Sequence, residues 1–564
     1  MIILGIGFGH DAAASLLVDG AIVANVAEER FTRVKHDSGF PTASVQYCLS
    51  EAGLSSKQID FVAVAGQFLP SGMERHFILT QEQSNSLAAA RPRESRVRQL
   101  LINSGMRDLP LYSRKLEVAP HCKFISVDHH LAHASSAYFT RGRSDPCLVF
   151  TLDGVGDEVS AAVWMGEKTS LRPLASWDRN ASLGWFYGNV TEALGWQHGD
   201  GEGTVMGLAP YGIGATLGDR LDGFHPVFRD GLLLTAHDFG HASYYNQNGT
   251  YHWHFADADA IHALTLQYSN EDIAARAQEI LEEQVLGLVR HWTGAYNTKR
   301  IACSGGIFLN VKLNQRIWNE MELEEHWVFP DPGDSGIPLG AALHLWHTRT
   351  QTAASEKLEH LYYGPRFHDA EIRKILETRR LSYREVKQPA LTAAELLASD
   401  KIVGWFQGRM EAGPRALGNR SILMSPTTAA NKDAINSRVK FRESFRPFCP
   451  SILFERKDDY LLNGREENFM VTSFDVKPEK RNKIPAVVHA DGTLRPQTVK
   501  RNTNPLFHEL IEHFGKMTGE YALLNTSFNI KGEPIVCNPR EAIRCFFDTG
   551  IDALVMGTFV LEKS

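Results

Sequence analysis

A strand–loop–strand–turn unit that occurs twice restricts this chain more than any other feature. Ile2 to Gly7 reads as a strand, Phe8-Gly9-His10-Asp11 as a loop and Ala12 to Val18 as a second strand. Asp19-Gly20 is a hairpin turn, because both residues tolerate positive φ, and Ala21 to Ala27 follows as a third strand. The same order then returns. Cys147 to Leu152 is a strand, Asp153-Gly154-Val155-Gly156-Asp157 a glycine-rich loop, Ser160 to Met165 a strand and Gly166-Glu167 a turn. What repeats is the supersecondary unit, not the letters.

Two hairpins with facing loops are how actin-like and sugar-kinase-like ATPases hold the phosphates of a nucleotide; the alternative is two ordinary hairpins. Between the units, Lys123 to Val127 reads as a short strand, Asp128 as a helix N-cap and the Ala-rich residues after it as a helix. On that helix His129 and His133 are four apart, on one face, with ring nitrogens able to converge on one cation. With 23 histidines in 564 residues this spacing has little specificity, and a capped or buried pair is the alternative. Position 130 is His rather than Glu, so the zinc-protease pattern is absent.

Other residues with site chemistry lie at strand ends. Asp153 either points into a cleft beside backbone amides or caps a turn. Ser304-Gly305-Gly306 follows the strand Arg300 to Cys303, which sets amides beside a nucleotide. Asp334 occupies a second strand-to-helix loop, ahead of the small-residue helix Gly340-Ala341-Ala342. Ser182 to Trp196 reads as an aromatic-rich packing helix and Glu271 to Trp292 as a long amphipathic one. Gly199 to Gly212 reads as a loop that permits close backbone approach, or as a surface loop. The block His241 to His262 is a hairpin, not a second metal site.

A net charge of −7 argues against broad nucleic-acid or anionic-membrane binding. The N-terminal residues lack a basic stretch followed by an apolar one, and no apolar run is long enough to span a bilayer. The 7 scattered cysteines have no C-x-x-C spacing, which fits reduced thiols in a cytoplasmic protein.

Thr348 to Tyr363 is polar, weakly patterned and followed by Gly364-Pro365, so a linker is expected there. Beyond it, Arg409, Arg415, Arg420, Lys432, Arg438, Lys440, Arg442 and Arg446 face only Glu411, Asp433 and Glu443. Arg442 and Arg446 would share a helix face, and guanidinium forks bind phosphate oxygens in pairs, so the cluster reads as a polyphosphate pocket. A solvated basic face or an RNA patch is the alternative. Tyr521 to Leu524 is a strand leading into the loop Asn525-Thr526-Ser527-Phe528-Asn529, and Asn538-Pro539 starts a helix that Gly550 stops.

GHDAAASLLVDG, AEERFTRVKH, DHHLAHASSA, LDGVGDE, MGLAPYG, SGGIFLN, GDSG with GAA, GWFQGRMEAGPRALGNRSIL, VKFRESFRPFCPSIL and LLNTSFNIKGEPIV occur in this order. Together they resemble the O-carbamoyltransferases of nodulation-factor and antibiotic-tailoring type, typified by tobramycin carbamoyltransferase, from Ile3 to about Val560. The resemblance implies a two-domain α/β protein. Residues 1–350 would form an actin-like, duplicated carbamoyl-transfer domain similar to tRNA threonylcarbamoyl transferases, 351–366 a linker, and 367–564 a YrdC-like domain that forms carbamoyl-adenylate.

By matching motif, His129, His133, Asp153 and Asp334 look like ligands of a divalent metal, iron in characterised relatives. The ligand set itself admits Fe(II), Mn(II) or Zn(II). His10 matches the catalytic base, and Lys35 sits where relatives contact the adenylate or acceptor. The glycine loops supply Gly154, Gly305, Gly306 and Asn310 to the nucleotide. Arg415, Lys440, Arg442, Arg446 and Asn525 fall in motifs that bind carbamoyl phosphate and ATP, the latter with Mg(II). Thr204 departs from the lysine common in relatives before the Met-Gly-Leu-Ala motif.

The implied reaction makes carbamoyl-adenylate from carbamoyl phosphate and ATP, then carbamoylates a hydroxyl and releases AMP. The expected partners are a small-molecule acceptor (sugar, macrolide, lactam or lipo-oligosaccharide) and, as a homodimer, a second copy of the chain; no nucleic acid or membrane span is expected. Acceptor-facing variation is expected in the insert His76 to Leu116. Rival readings are a sugar kinase or actin-like ATPase, a tRNA threonylcarbamoyl-adenosine enzyme and a metal-dependent hydrolase. Each lacks a dependence of AMP formation on carbamoyl phosphate.

Overall fold

The computed structural model describes residues 1–66, 74–76, 116–235, 243–247, 250–254, 256–354 and 356–563. Among the described residues its N-terminal half holds two large sheets and two small pairs. The first comprises β1 (Ile2–Gly7), β2 (Ala13–Val18), β3 (Ala21–Ala27), β4 (Phe61–Ala65), β5 (Glu74–His76) and β6 (Lys123–Val127), in the order β3-β2-β1-β4-β6-β5. The second begins with β7 (Cys147–Gly156), β8 (Val159–Glu167) and β9 (Ser170–Asp178). After the small pair β10 (Val227–Arg229) and β11 (Leu232–Leu234) and the hairpin β12 (Ser243–Gln247) and β13 (Thr250–His254) come β14 (Arg300–Ser304) and β15 (Glu325–Val328). The second sheet runs β15-β14-β7-β8-β9.

The duplication is real at the level of pairing. β1 pairs antiparallel with β2 and parallel with β4; β7 pairs antiparallel with β8 and parallel with β14. Two helices cross between the sheets, and small residues let them meet. A Cβ at Gly340 in the helix Ile337–Thr350 would lie 1.9 Å from Ala132 O in the helix His129–Thr140, and one at Gly5 would lie 2.0 Å from Pro338 O. All twelve residues of His129–Thr140 are buried.

The C-terminal half is one eight-stranded sheet made of β16 (Arg384–Glu385), β17 (Val403–Phe406), β18 (Arg420–Met424), β19 (Cys449–Leu453), β22 (Gln497–Val499), β23 (Ala522–Ser527), β24 (Ala553–Met556) and β25 (Phe559–Glu562). Its order is β16-β25-β24-β17-β18-β23-β19-β22; β20 (Phe474–Asp475) and β21 (Thr493–Leu494) pair separately. Alternation divides the side chains between two cores. Leu423, Leu523 and Val555 face the helices Pro389–Ala398 and Pro505–Thr518, whereas Ile422, Leu524 and Leu554 face the helix Pro539–Asp548.

The fold corrects several readings of the sequence. The glycine-rich stretch after Leu152 continues β7 to Gly156, with a shift of register between Leu152 and Gly156, because β8 supplies a partner that far. Ser170–Asp178 adds a third strand to the second unit. The Gly199–Gly212 segment holds the helix Glu202–Leu208 followed by a tight turn. Asn525 to Ser527 belong to β23 rather than a loop, since β18 pairs with them.

Arg442 and Arg446 share no helix. Phe441 is left-handed (φ 47°) and ends the π-turn Asn436–Lys440, and residues 441–448 then run without helix or strand.

Among the described residues of 351–366 the regular pairing is an isolated bridge from Lys357 to Arg141, yet Ala354, Leu358 and Leu361 are buried in the N-terminal half's main core, and Leu358 N donates to Thr140 O at 2.9 Å. Most of the insert His76 to Leu116 lies outside the described residues. Among the described residues no helix is long and apolar enough to cross a membrane. All the cysteines are free thiols.

Candidate active site

The deepest cluster joins four side chains from three segments. Asp128 caps its helix by accepting from Leu131 N at 2.9 Å, which starts the helix at His129 and sends His129 and His133 to the same side. Their Nε2 atoms are 3.1 Å apart. Asp153, on β7, brings Oδ2 to 3.0 Å from His129 Nε2 and 3.4 Å from His133 Nε2. Asp334, at the turn before Ile337–Thr350, brings Oδ1 to 3.6 and 3.5 Å from the same atoms. One donor atom from each of the four lies within 4.8 Å of the others.

This donor set fits a divalent cation: two imidazoles and two carboxylates suit a borderline ion, and Asp153 and His133 each have a second tie that fixes their aim. Gly306 N donates to Asp153 Oδ1 at 3.1 Å, and His133 Nδ1 lies 3.1 Å from Ser304 Oγ. Burial works against a charged His129, but Asp334 and Asp153 overcome it and raise its pKa to about 10. Burial would raise Asp153, and hydrogen bonds from His129 and His133 instead hold it well below the usual carboxylate range. His130 is not part of the cluster. Its Nε2 faces Val159 O and its Nδ1 faces Thr151 Oγ1, both at 2.9 Å, and burial lowers its pKa to about 3.

From this cluster a row of alternating acids and bases runs outward. His10 Nε2 is 3.9 Å from Asp334 Oδ2, and His10 Nδ1 is 3.5 Å from Asp11 Oδ2. Asp11 Oδ1 accepts from His36 Nδ1 at 2.7 Å, and His36 Nε2 lies 3.8 Å from Asp200 Oδ1, which also pairs with Lys35. His10 is exposed, with 68% of its side chain accessible. Desolvation by its neighbours opposes its charge, while the Asp11 hydrogen bond and the Asp334 carboxylate raise its pKa to about 9. Burial likewise opposes charge on His36, and Asp11 and Asp200 lift it to about 10. Asp11, His36 and Asp200 were not singled out from sequence; three distant segments supply them, and no spacing links them.

The glycine-loop residues are closely packed. Gly305 (φ +105°) is glycine because a Cβ would lie 2.1 Å from Leu152 O, and the Gly306 amide is already used by Asp153. Gly154 lies against Trp185, where a Cβ would stand 3.3 Å from Nε1. Asn310 caps the helix Val311–Glu320, accepting from Leu313 N, and its amide is otherwise bonded to Gln278. Thr204 is buried in the helix Glu202–Leu208.

In the C-terminal half, Arg415, Arg442 and Arg446 come together with Arg495, a fourth guanidinium that the basic run did not include. Burial first, then Arg495 and Arg446, pull Arg415 down to about 9; burial and Arg446 do the same to Arg442. Burial also lowers Arg446. An arginine does not surrender its proton, so the displacement expresses demand for an anion. Arg415 Nε has no hydrogen-bond partner among the described residues.

Glu411 shapes the loop bearing Arg415, its Oε1 accepting from the amides of Leu417, Asn419 and Arg420 at 2.7, 2.7 and 3.1 Å. Asn525 Nδ2 donates to Ala416 O at 3.2 Å and Ser451 Oγ at 2.9 Å, beside the same loop. Lys440 instead spends its ammonium on Ser527 and Asn529, including Asn529 Oδ1 at 2.8 Å. Arg420 is fully buried against carbonyls, among them Pro365 O at 2.9 Å, and supports the fold.

Two family models match the chain: carbamoyltransferase N-terminus over residues 2–343 and carbamoyltransferase C-terminus over residues 394–563. Nodulation protein NolNO of Sinorhizobium fredii is 36% identical over 564 residues, covering 99% of this chain and 79% of that protein. Uncharacterized protein sll1178 of Synechocystis is 34% identical over 607 residues, covering 100% and 97%. Nodulation protein U of Rhizobium tropici is 29% identical over 571 residues, covering 94% and 91%. Among solved structures, full-length HypF in its phosphate- and nucleotide-bound form aligns with a TM-score of 0.33 at 12% identity, over 63% of this chain and 56% of that one.

Proposed function

The chain belongs to the carbamoyltransferase family, and on that premise we propose that it activates carbamoyl phosphate with ATP in its C-terminal half and carbamoylates a small-molecule hydroxyl in its N-terminal half. The observation that carries this reading is the pairing of two unlike sites. One is a group of four arginines with Glu443, among the described residues, as the one carboxylate paired to it, the other a His₂Asp₂ cluster with His10 at its edge, and Asp200 is paired with Lys35 and in the field of Arg446.

At the arginines, carbamoyl phosphate loses phosphate to water, and the carbamate oxygen attacks the α-phosphorus of ATP. Carbamoyl-adenylate forms and pyrophosphate leaves. Arg415, Arg442, Arg446 and Arg495 balance charge on phosphate and pyrophosphate, their fixed positions saving reorganisation. Carbamate decomposes in water, so sequestering it has a chemical purpose.

In the N-terminal half, the acceptor hydroxyl attacks the carbamoyl carbon, its proton passes to His10 Nε2, and AMP departs. Asp11, held by His36, orients the His10 ring through Nδ1. A divalent cation held by His129, His133, Asp153 and Asp334 would supply positive charge for the adenylate and offset the Asp334 charge that favours protonated His10.

AMP and pyrophosphate should form only when carbamoyl phosphate is present. His10→Ala should still release pyrophosphate without carbamoylating an acceptor, whereas Arg446→Ala should fail at pyrophosphate release. Normal transfer by His10→Ala would remove that residue from the mechanism; AMP formation indifferent to carbamoyl phosphate would remove the mechanism itself.

A further inference from the structure

Arg415 takes its place from the backbone beneath it, since its Nε has no hydrogen-bond partner among the described residues. Two residues on, the buried Leu417 is gripped at both its N–H and its carbonyl. The N–H donates to Glu411 Oε1 at 2.7 Å. The carbonyl oxygen accepts from Gln497 Nε2 at 2.9 Å and from Tyr362 Oη at 2.8 Å, which occupies both of its lone pairs.

These two donors reach one oxygen from different parts of the chain. Gln497 opens β22 and is 3% exposed. Across the ladder it faces Ser451 of β19, whose hydroxyl donates to Gln497 Oε1 at 2.7 Å and accepts from Asn525 Nδ2 at 2.9 Å. Asn525 Nδ2 also donates to Ala416 O, the carbonyl between Arg415 and Leu417. With its oxygen held by Ser451, the Gln497 amide keeps its N–H on Leu417. Gln497 also follows Arg495 by two residues, so one short segment carries the fourth guanidinium and the tie to the first. Tyr362 belongs to 351–366, the segment expected to be a linker. Asn504 Nδ2 donates to its hydroxyl at 3.1 Å, which leaves the Tyr362 O–H for Leu417. Buried polar networks satisfied in this way are rigid.

We propose that Gln497 and Tyr362 are positioning residues for Arg415: they fix the Leu417 carbonyl, and with it the loop that aims the Arg415 fork at the phosphate groups. This rests on the carbamoyl phosphate activation assigned above to the C-terminal half. Charge and aim then separate. Loss of either tie leaves the arginines and their attraction for an anion, whereas stabilisation of a leaving group depends on donors held in place.

The test follows pyrophosphate released from ATP in the presence of carbamoyl phosphate, per folded chain and below every melting transition. Gln497→Met keeps the length of the side chain without donor or acceptor. It should lower kcat roughly tenfold while KM for carbamoyl phosphate moves by less than about threefold. Tyr362→Phe removes one oxygen and keeps the ring, so it should fold even if Gln497→Met does not, and it should lower kcat roughly threefold with KM again little changed.

Wild-type kcat per folded chain in both variants overturns the proposal. So does a raised KM at wild-type kcat, because the two groups would then serve binding and not aim. A wild type that releases no pyrophosphate with carbamoyl phosphate overturns the reading beneath, and the proposal with it.

Discussion

Replacing Asp331 by asparagine should flatten the pH dependence of stability. Asp331 is 2% exposed and lies where the turn bearing Asp334 meets the C-terminal half; Gly413 is so close that a Cβ would stand 3.2 Å from Asp331 Cγ. Its one strong hydrogen bond comes from Ser335 Oγ, at 2.7 Å. Burial pushes its pKa from 3.8 to about 7, against the pull of the Ser335 hydrogen bond and Arg30.

The folded chain therefore holds this proton more tightly than the unfolded chain. The associated stability is complete below the unfolded value and is lost as pH rises through about 7. A difference of roughly three units corresponds to about 4 kcal/mol between pH 4 and pH 8. Asp331→Asn is isosteric, keeps an acceptor for Ser335 and has no proton to lose. Near pH 4.5 the variant should match the wild type within about 1 kcal/mol, and at pH 8 it should be the more stable by about 2–4 kcal/mol. Urea melts of both proteins at the two pH values measure this. A gap between variant and wild type that is the same at pH 4.5 and pH 8 would refute the reasoning, because Asp331 would then not change charge differently on folding.

Other outcomes follow from the same structure. Glu411→Gln exchanges a carboxylate that accepts from three amides for a neutral group; it should cost about 2 kcal/mol in a denaturant melt and slow pyrophosphate release by loosening the Arg415 loop. His133→Ala removes one of the four converging donors and should weaken divalent-ion binding roughly tenfold or more, read by equilibrium dialysis and elemental analysis. Gly340→Ala would place a Cβ 1.9 Å from Ala132 O and force the two central helices apart. Its cost should be about 2 kcal/mol, seen as a lower melting temperature.

How much of this was legible in the sequence depended on how local the cause was. The hairpin at Asp19-Gly20, the Asp128 cap and the Asn538-Pro539 helix start follow from neighbouring residues, and the structure has all three. Gly340-Ala341-Ala342 read only as a small-residue helix, and the fold shows what the small residue serves, since a Cβ at Gly340 would lie 1.9 Å from Ala132 O. Glycine was ambiguous. In SGG it suggested amides for a nucleotide, whereas Gly305 makes room for Leu152 and Gly306 secures Asp153.

The spacing of Arg442 and Arg446 suggested a helix, and one left-handed residue, Phe441, cancels it. A conformation at a single φ leaves little trace in composition. Arg495 stands alone in sequence and joins the other arginines only through β21 and β22, so no local pattern could have reported it.

The contacts of Arg30 and Arg33 set a timetable for synthesis. Arg30 Nη2 donates to Gly413 O, 383 residues later, and Arg33 donates to the carbonyls of Ile535 and Pro534, 502 and 501 residues later. A ribosome adding roughly 5–20 residues per second keeps Arg33 without these acceptors for about 25–100 s. Arg30 meets Gly413 earlier, after about 20–80 s, so the two contacts form in sequence. The seam at Arg33 closes only when nearly the whole chain has emerged.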